Sequence, residues 1–433
     1  MRPLQKTLLM LCAMCLTAQA GANLIKYFHE LSDGSRFGGD FIGFWNAAHR
    51  VRHGEVAAIY DSDTWQRILS NTTGSISISW FVYPPFTLFG LWPLGNATYN
   101  EAVLAWSVVP LAFFFALIVL LAKRSGLGVG ANPACENNWS RMQAYAVLIA
   151  FSLPFLCANL FSGQTGTLIA VFFLGTAYFL PTRPVLAGIC IGFLAVKPQM
   201  GLLMPLALVA SGQWRVVAAA ATTVLSLIVL STIWLGAAIW TDYFRMSLLF
   251  GQFIGGGYDQ IRQLAVGPYV SLQGAGMPAA LAGFFHVVVT LAVMTAIIQA
   301  FWRGKLNPQA MGKEDQRLDL RLALLAAGTL LVTPYSLSYD TPLLMLSIIP
   351  LLARSWRDGA DGIELASLTT LLIMPYAQLL AVGTHVPFAF LVLLLWFGVL
   401  YRRFQKERPA QPAVAAQGGI RGQAGSAGLP AAG

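Results

Sequence analysis

The chain has 433 residues, of which 57% are hydrophobic and only 10% are charged, against about 25% charged residues in an ordinary soluble domain. Mean hydropathy is +0.65. This composition excludes a soluble enzyme, a disordered protein and a disulfide scaffold, and it predicts an all-α polytopic bundle of transmembrane helices. The net charge of +9 fits basic cytoplasmic loops and lipid head groups, so the membrane is an expected partner and nucleic acid is not.

The N-terminal segment combines a basic start at residues 1–6 with an apolar run at 7–18. This pattern is typical of a signal peptide or of a first membrane span, and Ala18-Gln19-Ala20 resembles a signal-peptidase site. Cleavage therefore stays open. We favour an uncleaved span at about 7–25, after which the chain continues on the outer side of the membrane.

Further apolar stretches follow along the chain, and several are shorter than the ~20 residues that a straight span needs. They lie at 76–94, 101–122, 143–161, 165–181, 184–210, 215–236, 279–301, 321–336, 340–353, 363–381 and 386–402. Internal prolines predict kinked or broken helices, and we expect about ten to thirteen spans. Residues 1–404 are expected to form one domain, and the Ala- and Gly-rich residues 405–433 a disordered cytoplasmic tail.

Basic clusters predict the orientation, because Lys and Arg concentrate in cytoplasmic loops. Three such clusters lie at 303–321, 354–357 and 402–408. This arrangement places 334–340 and 383–387 outside. The basic loop 123–141 should also be cytoplasmic, but counting both preceding apolar stretches as spans places it outside. Either 76–94 or 184–210 must then be re-entrant or doubled.

The polar segment 26–67 is expected on the outer side and holds six of the 18 acidic residues. Helical spacing of apolar residues behind Asp40 predicts an amphipathic helix on the membrane surface. The spaced residues are Phe41, Phe44, Trp45, Ala48 and Val51. Asp61 is expected to cap a second short helix that runs through Ile68.

Asp40 allows two interpretations that do not exclude each other. It can be a helix N-cap with no chemical role. It can also be a general base near the membrane plane, where a carboxylate takes a proton from an acceptor hydroxyl as that hydroxyl attacks. The glycines before it, Gly38 and Gly39, would let a bulky substrate approach the backbone.

Lys197 is the only Lys or Arg inside an apolar run. A charge at membrane depth is costly unless it is paired, so Lys197 is a functional candidate. One interpretation is a side chain that extends to the interface. The other is contact with an anionic phosphate, and Pro198 favours it by predicting a helix break beside a polar cavity.

Five more polar residues are candidates for substrate binding. Gln164 lies in a Gly-Gln-Thr-Gly turn and is either a turn residue or a ligand for a substrate hydroxyl. Tyr83 precedes two prolines that predict a rigid turn. Tyr339 and Asp340 are expected at an outer face, where Asp340 either caps a helix or lines a sugar or phosphate cavity. Arg262, in an outer loop with Tyr258 and Asp259, is either solvated or bound to phosphate.

Several common catalytic motifs are absent. The five histidines form no metal-ligand spacing, and there is no HExxH, P-loop, GxSxG or dinucleotide fingerprint. We therefore expect no metal and no cofactor, and we do not expect ATP-driven transport.

Short motifs in a fixed order resemble glycosyltransferase family 87, a group of bacterial polyprenol-phosphate-mannose-dependent, α-1,2-mannosyltransferase-like membrane enzymes of the C superfamily. In the first third of the chain they are Gly39-Asp40-Phe41, Phe44-Trp45-Asn46-Ala47-Ala48, Gly54, Ile59-Tyr60-Asp61, Val82-Tyr83-Pro84-Pro85-Phe86 and Trp92-Pro93-Leu94. Later come Ser162-Gly163-Gln164-Thr165, Leu186-Ala187-Gly188, Val196-Lys197-Pro198, Gln213-Trp214-Arg215 and Ser338-Tyr339-Asp340. Thr165 departs from the family, which often has Asn there, and this weakens the inference for Gln164.

The resemblance implies a C-type glycosyltransferase fold, a lipid-linked sugar donor and an active site that faces the periplasm or cell exterior across the bacterial inner membrane. It puts the catalytic acid of the first outer loop at Asp40, as the base in a direct displacement. Lys197 and Arg262 would stabilise the leaving phosphate. Trp45 and Tyr83 could pack on sugar faces, but we favour core or interface packing for both.

The expected function is transfer of a hexose, mannose by resemblance, from a polyprenyl-phosphate donor to a lipid or glycan acceptor. The alternative is a transporter or flippase of a lipid-linked or anionic solute, since a lysine in a broken helix also suits transport. A third reading, a structural scaffold, gives no reason for a lysine at membrane depth.

Overall fold

The computed structural model describes residues 3–32, 39–74, 80–129, 138–255, 262, 264–302, 317–380 and 383–407. This part of the chain is almost entirely helical and contains no β-strand, which confirms the all-α prediction. The helices of the first half are α1 (Pro3–Ser32), α2 (Phe41–Arg52), α3 (Ala57–Tyr60), α4 (Ser62–Thr73), α5 (Thr87–Leu91), α6 (Tyr99–Arg124), α7 (Asn138–Ser162), α8 (Gly166–Phe179), α9 (Pro184–Phe193) and α10 (Leu203–Ala210).

The second half continues the same pattern. Its helices are α11 (Trp214–Leu235), α12 (Ala238–Gly255), α13 (Pro268–Gly274), α14 (Ala279–Trp302), α15 (Leu318–Val332), α16 (Met345–Asp358), α17 (Gly362–Leu380) and α18 (Phe388–Lys406). Short 3-10 turns lie at Trp92–Asn96, Leu194–Val196, Pro198–Gly201 and Ser338–Leu344. Within the described residues, five helices are long and apolar enough to cross a membrane: α6, α7, α11, α14 and α18. Shorter apolar helices such as α8 and α10 accompany them, so the protein is a polytopic bundle.

Four helices, α6, α8, α15 and α16, run between two opposite ends of the bundle. At one end, the Trp106 indole of α6 donates to the Gly163 carbonyl beside the start of α8. At the other end, Arg124 of α6 donates to the Ala177 carbonyl near the end of α8. We call these ends the Gly163 pole and the Arg124 pole. Helix α15 starts at the Arg124 pole, and α16 returns to it.

An ion-pair network holds the Arg124 pole together. Arg354 of α16 donates to Asp319 of α15 at 2.7 and 2.9 Å and to both oxygens of Glu407, after α18, at 3.0 Å. Arg403 of α18 reaches Glu364 of α17 at 3.3 Å. Arg124, Arg354 and Arg403, which the sequence assigns to the cytoplasmic side, therefore lie together at one pole.

The apolar stretch 76–94 does not form one continuous helix in its described part, residues 80–94. Two consecutive prolines, Pro84 and Pro85, prevent a continuous helix. The segment instead forms α5, which at five residues is ~8 Å long, and a 3-10 turn. Gly95 packs directly on α2, where a Cβ atom would lie 2.4 Å from the Ala48 carbonyl oxygen. Thr98 and Glu101 then form a capping box that starts α6.

The stretch 184–210 is broken, as Pro198 predicts. Helix α9 ends at Phe193, 3-10 turns surround Lys197, and α10 starts at Leu203. Two glycines bring α9 close to α11. A Cβ atom on Gly188 would lie 2.5 Å from Ala219 Cβ, and one on Gly192 would lie 2.5 Å from Thr223 Cβ. This small-xxx-small contact is a common way to pack helices in lipid.

The predicted helices of segment 26–67 are present, with one change. Helix α4 runs from Ser62 to Thr73, beyond the predicted end, and Asp61 caps it by accepting from the Thr64 amide at 2.9 Å. The apolar face of α2 packs against protein. Its Phe44 ring lies 4.9 Å from the ring of Trp106 in α6. Gly256 and Gly257 beyond α12, Tyr258, Asp259 and the tail from residue 408 lie outside the described residues.

Candidate active site

A cavity of about 400 Å³ lies at the Gly163 pole, a size typical of small-molecule sites. Segments from seven parts of the chain line it. Its lining side chains are Asp40, Trp80, Val82, Tyr83, Ser162, Gln164, Val196, Lys197, Gln199, Phe250, Phe253, Leu264, Tyr335, Leu337 and Tyr339, with Gly39. The cavity therefore brings together five of the predicted site residues from distant parts of the sequence: Asp40, Tyr83, Gln164, Lys197 and Tyr339.

Asp40 lies in the turn before α2, and its carboxylate makes no helix-capping hydrogen bond. The backbone amide of Asp40 instead donates to the Ser162 carbonyl at 2.9 Å. Gly39 has φ +41°, and a Cβ atom there would lie 3.2 Å from the carbonyl oxygens of Phe161 and Ser162. Gly39 thus lets the turn dock on the end of α7, which leaves the carboxylate facing the cavity.

Gln164 connects Asp40 to Tyr83. The Gln164 amide donates from Nε2 to Asp40 Oδ2 at 2.6 Å. The Tyr83 hydroxyl donates to Gln164 Oε1 at 2.8 Å and lies 3.3 Å from the Thr165 hydroxyl. Thr165, where the family often has Asn, therefore contacts the same tyrosine. These bonds link three segments that the sequence keeps far apart.

Buried groups behind the cavity fix the turn that carries Gln164. Asn159 of α7 donates to the Gln164 carbonyl at 3.0 Å and to the Tyr339 carbonyl at 3.3 Å, and its Oδ1 accepts from Thr167 at 2.7 Å. Gly166 makes the approach of Tyr339 possible, because a Cβ atom there would lie 1.7 Å from the Tyr339 carbonyl oxygen. The turn and the segment after α15 are therefore one packed unit.

Lys197 forms a buried ion pair with Asp340. Lys197 Nζ lies 2.5 Å from Asp340 Oδ1, and the two residues are 4% and 1% exposed. Asp340 Oδ2 accepts from the Leu337 amide at 3.2 Å, so Asp340 also caps its 3-10 turn. Lys197 Nζ lies 4.8 Å from the centre of the Tyr339 ring. The lysine does not extend to the interface, and it borders the cavity.

Aromatic side chains form the apolar wall of the cavity. Phe250 and Phe253 project from α12. Phe253 packs on Trp80 with ring centres 5.9 Å apart, and Phe250 packs on Tyr335 at 5.7 Å. The cavity thus has a polar side with a carboxylate and an ammonium group, and an aromatic side next to it.

Two predicted site residues lie elsewhere. The Trp45 indole donates to the Ala97 carbonyl at 3.1 Å, and its ring packs edge-on against Tyr99, so Trp45 does not line the cavity. Arg262 lines a separate cavity of about 200 Å³ with His385 and Gln378. The structure therefore does not bring Arg262 into the cavity with Lys197.

The environment of Asp40 has opposing effects on its carboxyl group. The carboxylate is open to the cavity, yet protein atoms surround it on most sides. This burial raises the pKa of Asp40 above the ordinary value, and the hydrogen bond from Gln164 partly offsets the rise. A carboxylate with a raised pKa is a stronger base, which is the property a proton acceptor needs.

Sequence reasoning missed three kinds of residue at this site. Asn159 had a usable signal, because an amide inside an apolar run needs a partner. Gly166 also had a usable signal, because it is the second glycine of the Gly-Gln-Thr-Gly turn. The aromatic residues Trp80, Phe250 and Phe253 had none, since aromatic residues are common throughout the chain.

Comparison with known proteins gives one family. The family model of glycosyltransferase family 87 matches residues 81–334, more than half of the chain. The match includes Tyr83, Gln164 and Lys197, and it starts after Asp40. No curated protein and no solved structure matches the chain. The cavity with a carboxylate and an ammonium group in a helical membrane bundle agrees with this match, and the chain is a membrane glycosyltransferase of family 87.

Proposed function

We propose that this protein transfers a hexose, mannose in the first instance, from a polyprenyl-phosphate donor to a hydroxyl of a lipid or glycan acceptor. One observation carries the proposal: Asp40 and Lys197 line the same cavity. The reaction needs a base for the acceptor proton and a positive charge for the leaving phosphate. The alternative of transport, which the broken helix at Lys197 suggests, is not supported by the family match, because the matching family is one of glycosyltransferases.

In the proposed reaction, Asp40 takes the proton of the acceptor hydroxyl. The acceptor oxygen attacks the anomeric carbon, a new C–O bond forms, and the bond from the anomeric carbon to the phosphate oxygen breaks. Polyprenyl phosphate leaves with the bonding electrons, and Lys197 stabilises its charge. Such a direct displacement inverts the anomeric configuration.

The aromatic wall supports a lipid-linked donor. Phe250 and Phe253 border the cavity from α12, and the same helix exposes Phe244 and Leu248 on its outer surface. A prenyl chain beside this helix would contact apolar side chains while its phosphate approached Lys197. A charged soluble sugar donor has no long apolar chain that would pack against this wall.

The charge distribution supports an active site on the outer face. Arg124 and Arg354 lie together at the pole opposite to the cavity, and basic residues favour the cytoplasmic side. With 76–94 broken in its described part, the apolar helices that the structure describes before the basic loop 123–141 are α1 and α6. The count then agrees with the charges, and it supports a position of Asp40 and Gln164 on the outer side.

The test is Asp40→Asn in purified protein in nanodiscs, with labelled polyprenyl-phosphate mannose and bacterial inner-membrane lipids as acceptors. We expect sugar transfer to fall at least ~100-fold, because a general base contributes this much or more. Asp63→Asn is the matched control, since Asp63 is an exposed carboxylate of the same polar segment. Undiminished transfer by folded Asp40→Asn would contradict the assignment of Asp40 as the base.

A further inference from the structure

We infer that Gln164 and Tyr83 are positioning residues for Asp40: they hold Oδ2 of the carboxylate, so that Oδ1 is the atom that takes the acceptor proton. This inference rests on the proposed role of Asp40 as the base. It gives Gln164 and Tyr83 a different task from the sugar contacts that the sequence suggests.

The hydrogen-bond chain has only one consistent direction. An ionised carboxylate accepts but cannot donate, so the Gln164 amide must turn its NH₂ group to Asp40. Its carbonyl oxygen then faces Tyr83, whose hydroxyl donates to it at 2.8 Å. A flipped amide would put two acceptors against each other at Asp40. The carboxylate sets the amide orientation, and the tyrosine stabilises it by donating to the carbonyl oxygen.

Both positioning side chains are themselves held in place. The Tyr83 ring packs between Phe44 and Phe81, with ring centres 4.9 and 5.6 Å away. The backbone of Gln164 is bound by buried Asn159. A carboxylate on a short side chain gains a fixed orientation from such a rigid support, which is what a base needs to reach one particular hydroxyl.

Oδ1 of Asp40 is the oxygen left for substrate. Within the described part of the chain, the carboxylate accepts a single hydrogen bond, the one from Gln164 to Oδ2. The titratable and charged groups that face it across the cavity are Tyr83, Lys197, Tyr335, Tyr339 and, behind Lys197, Asp340. Lys197 is engaged by Asp340, and no cation among the described residues forms an ion pair with Oδ1.

The positioning bond also keeps the base ionised. Burial alone favours the protonated acid, which cannot accept a proton. A hydrogen bond donated to the carboxylate favours the charged form and lowers the pKa. Gln164 thus orients Asp40 and holds its pKa closer to the ordinary value than burial alone would.

The experiment measures the titration of Asp40 directly in the full-length protein. Infrared difference spectra give the protonated-carboxyl band of Asp40, assigned by its loss in Asp40→Asn. In Gln164→Met we expect the titration midpoint to move up by about one pH unit. Because transfer needs the ionised form, the acid limb of its pH–rate profile should move to higher pH by the same amount.

Tyr83→Phe removes only the hydroxyl and is the milder variant if Gln164→Met folds poorly. We expect a smaller upward shift of the midpoint. In the double variant the shift should equal that of Gln164→Met alone, because no amide remains for Tyr83 to orient. Gln199→Met is the matched control: Gln199 lines the same cavity but does not contact Asp40, so the midpoint should stay unchanged.

The outcomes separate this inference from the proposed function. A Gln164→Met midpoint equal to that of the wild type, or equal to that of Gln199→Met, overturns the positioning role even if Asp40→Asn abolishes transfer. Additive shifts in the double variant also overturn it, because Tyr83 would then act independently of Gln164. If Asp40→Asn transfers sugar normally, Asp40 is not the base, and the infrared titration of the wild type still decides whether Gln164 holds the carboxylate.

Discussion

Two charged groups with different surroundings define the site at the residue scale. Asp40 is open to the cavity and takes one neutral hydrogen bond. Lys197 is buried and takes a full counter-charge from Asp340. A carboxylate with an open oxygen is suited to accept a proton. An ammonium group paired with Asp340 is suited to bind a second anion, the donor phosphate, from the cavity side. This division follows from the partners of the two groups.

The Lys197–Asp340 pair leads to a prediction about stability and donor binding. Lys197→Met leaves the buried carboxylate of Asp340 without its partner. Removal of one member of a buried ion pair costs about 3–5 kcal/mol, so we expect a clear loss of thermal stability. We also expect weaker binding of polyprenyl-phosphate mannose, measured by titration in nanodiscs.

A second substitution separates these two effects. Lys197→Met combined with Asp340→Asn removes the unpaired charge, so stability should recover in part. Donor affinity should remain low, because the positive charge for the phosphate is still missing. If affinity returns together with stability, Lys197 has only a structural role and the phosphate contact is refuted.

At the element scale, helix ends and short turns carry the site. The end of α7, the start of α8 and the 3-10 turn after α15 meet at Asn159 and Gly166. The local propensities of this sequence predict the turns and the helix break at Pro198 quite well. They do not predict that Asp40 meets Gln164, 124 residues away, or that Lys197 meets Asp340, 143 residues away. Those contacts depend on tertiary packing, for which a single sequence carries no local signal.

Gly166→Ala tests this junction. The new methyl group would overlap the Tyr339 carbonyl, and neither backbone can yield without moving the cavity wall. Overpacking of this kind costs about 1–3 kcal/mol or more. We expect a lower melting temperature and sugar transfer reduced by at least about tenfold. Gly398→Ala in α18 is the control, since its Cβ atom would meet nothing within 4 Å and should change neither property. Normal stability and transfer in Gly166→Ala would contradict the close packing.

The whole molecule has two ends: the Gly163 pole, where the cavity lies, and the Arg124 pole, where basic residues lie together. Helices run between them. Composition was enough to predict the all-α membrane bundle, because scarce charge and long apolar stretches leave few alternatives. It was not enough to count spans. The apolar segment 76–94 resembles a membrane helix by hydropathy. Its prolines break the described part, 80–94, into a short helix and a 3-10 turn that pack on α2.

Cysteine labelling tests this topology. In a variant without the native cysteines, Asp63→Cys and Lys123→Cys place one exposed thiol on each side of α6. We expect an impermeant maleimide to label Asp63→Cys in intact spheroplasts and Lys123→Cys only after permeabilisation. If both positions react in intact cells, 76–94 crosses the membrane and the orientation argued from the poles is wrong.

The most direct test of the whole account is the density of a bound donor in a cryo-EM structure of the Asp40→Asn variant, prepared with polyprenyl-phosphate mannose. The account predicts a phosphate within hydrogen-bond distance of Lys197, with the sugar between it and residue 40. The prenyl chain should lie along α12. Donor density outside this cavity, or a phosphate away from Lys197, would contradict the central claim that sugar transfer takes place here.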